Sequence, residues 1–122
     1  MEAFHAGIHR HPELIVELPN ETANAVLAFL LGLACEAQHF ANIDYGRRAI
    51  LSIPRNWMLT RIHDVAQREL NLSDPWECRR LLELYSQLDG TLLHSFARTC
   101  SQSTNAEIIE AGSDFLSADE YR

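Results

Sequence analysis

Apolar residues recur along this chain at spacings of three and four, the period of a helix that buries one face. Leu14, Ile15 and Leu18 give a short helical face over residues 12–18. The same stretch, ELIVEL, also fits one strand, but its neighbours are helical in pattern and favour helix. Residues 23–39 are apolar almost all round, through Val26, Leu27, Phe29, Leu30, Leu31, Leu33 and Ala34. That pattern predicts a central helix touched by neighbours on several faces, with Asn20 as its cap. Asp44 is placed to cap a short helix over 45–52. Pro54 then opens a helix at the position where a missing N–H costs nothing. Met58, Leu59, Ile62, Val65 and Ala66 form its stripe, which predicts one helix to about Leu70.

The clearest start signal is Asp74-Pro75-Trp76-Glu77, with an N-cap Asp, Pro at the first position and Glu at the third. Cys78, Leu81, Leu82, Tyr85 and Leu88 line one face of the helix that follows. Asp89-Gly90 is a turn, and Leu92, Leu93, Phe96, Ala97 and Cys100 make the next stripe. After a polar break at 101–103, Asn105 begins a last helix with Ile108, Ile109, Gly112, Phe115 and Leu116 on its apolar side. Residues 117–122 read as a frayed tail. Near the start of the chain, His5 to His9 suits a short turn stopped by Pro12.

Residues 77–88 have a faint echo further on: Glu77 maps to Glu107, Leu81 to Ala111 and Tyr85 to Phe115. With the Asp74–Leu82 start, the Asp89-Gly90 turn, a second amphipathic helix and the new start at Asn105, residues 74–115 resemble a HEAT-type repeat. The resemblance implies helices paired through such a turn and stacked into a curved solenoid. The all-round apolar helix of the first half lies outside that pattern. The expectation is an all-α chain of about six helices packed as antiparallel hairpins. It is either a HEAT-like α-solenoid fragment or an irregular helical bundle, and one domain over residues 1–122.

Composition supports this. Leu and Ala far outnumber Val, and Thr, Tyr and Trp are also few, a balance that favours helix over a pleated surface. The net charge is −7, and all ten basic residues are Arg. Residues 1–21 and 105–122 carry the whole excess, since residues 22–104 hold equal numbers of acids and bases. An acidic chain of this kind argues against nucleic acid and against an anionic membrane surface as partners. Cys35, Cys78 and Cys100 are widely spaced, form no CxxC, and each sits in an apolar helical pattern. This usage, with no basic leader after Met1-Glu2, predicts a cytoplasmic protein with free thiols.

No motif commits the chain to a reaction, and no cofactor is implied. There is no glycine-rich phosphate loop, no G-x-S-x-G and no H-E-x-x-H. The nearest approaches to a metal site are His5 with His9 and Cys35 with His39, each pair at i,i+4, and neither has a complete ligand set. Glu36 and His39 have the E-x-x-H spacing of di-metal bundles, but in one copy only. Two features suit a binding surface better. Trp57 and Trp76 each sit in the first turn of a proline-started helix, and Trp is enriched at interface hot spots. Arg47 and Arg48 begin the only basic concentration, while Glu107, Glu110 and Asp114 sit in the acidic end with Glu13 and Glu17 at the other. The function class expected is a non-catalytic module that binds another protein. A small acidic inhibitor or immunity protein against a basic partner is the second class, and a metal-dependent enzyme built on Glu36 and His39 the third.

Overall fold

The computed structural model describes residues 11–120, and the side chains of residues 11–117. His5 and His9 lie outside the described residues. A short 3-10 helix, Pro12–Glu17, precedes seven α-helices: α1 (Asn20–Cys35), α2 (Phe40–Ser52), α3 (Arg55–Leu59), α4 (Ile62–Glu69), α5 (Pro75–Leu88), α6 (Gly90–Ser101) and α7 (Ala106–Glu120). No strand occurs among the described residues, so the all-α expectation holds and ELIVEL is helical. Its helix is 3-10 rather than α, and Ile15 is its one buried residue. The chain divides into two compact units, Met1–Leu70 and Asn71–Arg122.

In the first unit α1 packs against α2, α4 and the 3-10 helix. Val26, Leu27, Leu30 and Leu31 of α1 are fully buried with Ile50, Met58 and Ile62. The all-round apolar reading of α1 needs correction: Phe29 is 41% exposed and Ala25 is exposed, so the helix is not buried on every side. Asn20 is the first helical residue rather than the cap, and its Oδ1 accepts a hydrogen bond from Arg61 Nη1 at 3.4 Å. The helix ends at Cys35 and not at His39, because the Glu36 and Ala37 N–H groups both turn back to the Gly32 carbonyl. His39 instead precedes α2, its carbonyl accepting from the Asn42 and Ile43 N–H groups. Asp44 is therefore inside α2, where it pairs with Arg48 at 3.4 Å, rather than at its start.

The helix expected over 54–70 is broken after Leu59. Thr60 Oγ1 donates to the Trp57 carbonyl at 2.9 Å, and Arg61 Nε donates to the same carbonyl at 3.3 Å. Side-chain donors thus take a carbonyl that the next helical turn would have used. α4 then restarts with Ile62, Val65 and Ala66 facing the core, so the apolar stripe survives a break in the backbone.

In the second unit α5, α6 and α7 all pack on one another. Asp74 caps α5 as expected, its Oδ1 accepting from the Trp76 N–H at 2.8 Å. The reciprocal half of a capping box is not made, since Glu77 Oε1 accepts from the Asn71 N–H, three residues before the cap. Asp89 alone joins α5 to α6: it ends the first and caps the second, accepting from the Leu92 N–H at 2.9 Å. Asn105 Oδ1 accepts from the Glu107 and Ile108 N–H groups and so opens α7. Leu81, Leu82, Leu84 and Tyr85 are fully buried, and the Tyr85 and Phe96 rings meet edge to face at 5.6 Å.

Two helix pairs approach so closely that only glycine fits. A Cβ on Gly46 of α2 would lie 2.7 Å from the Ala34 nitrogen and 2.8 Å from the Leu30 carbonyl of α1. A Cβ on Gly112 of α7 would lie 2.5 Å from the Ala97 carbonyl and 2.7 Å from the Ser101 nitrogen of α6. In both cases the helices run as antiparallel hairpins with backbones in near contact.

Candidate interaction surface

The Asp74 cap and the Asn105 cap start two helices whose first turns share one open cleft in the second unit. It has a volume of about 280 Å³ and is lined by Asp74, Pro75, Trp76, Arg79, Glu107 and Glu110. Pro75 fixes the entry to α5, and Trp76, at the second helical position, stays 54% exposed. Arg80 lies over the Trp76 ring at 4.1 Å, bracing the indole from its own helix. Across the cleft Arg79 Nη2 donates to Asp114 Oδ2 of α7 at 3.2 Å. That pair offsets the charge of Arg79, whereas Glu107 and Glu110 are exposed with no cation paired to them by any ion pair described. The cleft is therefore acidic beside a large aromatic ring.

Four of the residues singled out in the sequence thus come together: Trp76, Glu107 and Glu110 line the cleft and Asp114 holds the arginine beside it. The other three belong to the first unit. Trp57 is only half-buried, but the Arg61 guanidinium covers its ring at 3.9 Å. Arg48 is exposed and paired with Asp44, while Arg47 is partly buried on the same helix. The sequence reading missed Arg80, whose stacking follows from its i,i+4 position relative to Trp76. It also missed Phe40, which is 79% exposed as the first residue of α2.

Neither Cys35 with His39 nor Glu36 with His39 lies on one helix. Cys35 is buried as the last residue of α1, and His39 is exposed beyond the helix end, so the i,i+4 relation of Cys35 and His39 is lost. Glu36 and His39 fail to share a helical face for the same reason: the chain turns back on Gly32 between them. Among the described residues no three His, Cys, Asp or Glu side chains gather as a metal would need.

No family model, curated protein or solved structure matches the chain. What it does has to be read from its own surface.

A second, smaller cleft of about 210 Å³ lies in the first unit, lined by Asn24, Ala25 and Ala28 of α1 with Val65, Arg68 and Glu69 at α4. Asn24 Oδ1 is buried there with no hydrogen bond. Both clefts are open and below the roughly 300–1,000 Å³ of sites that enclose a small molecule. Each has the size to take one or two side chains of another protein. No helix among the described residues is long and apolar enough to cross a membrane.

Proposed function

We propose that this chain is a non-catalytic helical protein–protein interaction module, acting in the cytoplasm without a cofactor, whose contact surface is the Trp76 cleft. The observation that carries this reading is a tryptophan 54% exposed on a capped, well-packed helix and bordered by Glu107 and Glu110. Leaving a large indole in water forgoes its burial, and a partner that covers it recovers that area at little entropic cost, because the ring is already braced by Arg80. The acids favour a partner segment that presents Arg or Lys beside an apolar residue. Net negative charge disfavours nucleic acid and anionic lipid in that role.

In the finer form of this reading, residues 74–115 are a HEAT-like unit: α5 and α6 pair through Asp89, and α7 opens a new pair at Asn105. The same acids also serve a second reading, a small acidic inhibitor of a basic partner. Salt separates the two. An inhibitor held by charge loses its partner as screening sets in over about 8 Å at physiological ionic strength. A module anchored by Trp76 keeps most of it. The test is capture of partners on the immobilised chain at low and high salt, with wild type beside Trp76→Ala and the Glu107→Gln/Glu110→Gln double variant. Loss with Trp76→Ala at both salts supports the module. Retention by Trp76→Ala, with loss in salt, supports the inhibitor.

A further inference from the structure

Cys78 and Cys100 do not line the cleft, although Cys78 shares the first turn of α5 with Trp76. Cys78 lies in the first turn of α5 and Cys100 in the last turn of α6, at equal sequence distance on either side of Asp89. Asp89 closes one end of this helical hairpin, and the two thiols meet at the other. Their sulfurs are 3.1 Å apart, in hydrogen-bond contact and buried. A disulfide needs ~2.05 Å, so about 1 Å of further approach forms the bond. α7 packs closely on α6 at this end, where a Cβ on Gly112 would lie only 2.8 Å from the Cys100 Cβ. The pair is thus presented by two packed helices rather than by a loose loop.

We propose that Cys78 and Cys100 are an oxidation site: a hydroperoxide converts the thiol pair into a disulfide that closes the open end of the α5–α6 hairpin. The hydrogen bond between the two thiols pulls Cys78 below its ordinary pKa and pushes Cys100 above it, which assigns the first attack to Cys78. The Cys78 thiolate attacks one peroxide oxygen. An S–O bond forms, the O–O bond breaks, and the departing hydroxide takes up the proton that the Cys78 thiol released, leaving as water. Cys78 is then a sulfenic acid. Cys100 Sγ attacks Cys78 Sγ, the S–S bond forms and the S–O bond breaks, and the hydroxide released takes the Cys100 proton as a second water. Two electrons pass from the thiols to one peroxide. Both sulfurs sit within one turn of a helix end, where local opening is easiest and admits a molecule as small as hydrogen peroxide. Cys35, the third buried thiol, belongs to the first unit and serves as the internal control.

Trypsin cuts after arginine, so the three cysteines fall in separate peptides: 11–47 with Cys35, 69–79 with Cys78 and 99–122 with Cys100. The whole folded chain is reduced, freed of reductant, treated with hydrogen peroxide, blocked with iodoacetamide and digested. The expected product is peptide 69–79 linked to 99–122 with the loss of two hydrogens, while Cys35 stays alkylated. The link disappears on dithiothreitol treatment and persists in a Cys35→Ala variant. Recovery of Cys78 and Cys100 both alkylated after peroxide would overturn the proposal. So would their conversion to separate sulfinic acids, or links to Cys35 as abundant as the link between the pair.

Discussion

Gly112→Ala puts the α6–α7 packing to a quantitative test. Alanine is the better helix former by up to ~1 kcal/mol, so in an open helix this change would stabilise. Here the new methyl falls 2.5 Å from the Ala97 carbonyl oxygen, 2.7 Å from the Ser101 nitrogen and 2.8 Å from the Cys100 Cβ. Two of these three atoms are backbone, and none can swing aside as a flexible side chain does. α7 must back away by about 1 Å to restore ordinary contact, loosening Ile108 and Ala111, which are buried beside it. Overpacking of this kind costs ~1–3 kcal/mol, and a clash with backbone belongs at the upper end. Set against the propensity gain, the net loss is about 2 kcal/mol. Gly90→Ala is the matched control. It is the first residue of α6 and has nothing within 4 Å of its Cβ position, so it should gain ~0.4–1 kcal/mol. Urea denaturation followed by far-UV circular dichroism reads both. A Gly112→Ala protein as stable as wild type, or a Gly90→Ala protein less stable than Gly112→Ala, would refute the close approach of α6 and α7.

Three further outcomes are expected. Asp74→Ala removes the acceptor of the Trp76 N–H and should cost about 1 kcal/mol in the same urea assay. Trp76→Ala should leave the far-UV spectrum and the unfolding midpoint nearly unchanged, because the ring is mostly in water, yet weaken partner binding by ~2 kcal/mol or more, read by titration calorimetry. Burial holds His63 below its ordinary pKa of 6.5, with the Asp64 carboxylate opposing, so the unfolded chain binds this proton more tightly. The contribution of His63 to stability is therefore full above about pH 6.5 and is lost as pH falls from there toward the folded value; His63→Gln should flatten that part of a pH series of urea midpoints.

What could be read from the sequence was what side-chain chemistry announces locally. Asp74-Pro75 marked the start of α5 because a cap acceptor and a fixed φ act within three residues. Asn105 did the same for α7, whereas Asp89-Gly90 read as a turn and is in fact the cap and first residue of α6. The break after Leu59 was not legible. The stripe from Met58 to Ala66 keeps its helical period across it, and the break depends on Thr60 and Arg61 both donating to one carbonyl. The end of α1 at Cys35 was hidden in the same way, by N–H groups that return to Gly32 with no special residue type at the boundary. Gly46 and Gly112 look like weak points in a helix until the neighbouring backbone is seen. The cleft was half legible: Trp76 and the acids were singled out separately, but their convergence depends on how α5 and α7 pack. The meeting of Cys78 with Cys100 depends on the hairpin in the same way.

Trp76 is the centre of the proposed interface. A partner recovered on the immobilised wild-type chain is purified and titrated in the calorimeter against wild type and Trp76→Ala at physiological salt. The variant should lose at least roughly thirtyfold in affinity, the ~2 kcal/mol of a hot-spot residue, with folding intact. Equal affinities for the two proteins would contradict it.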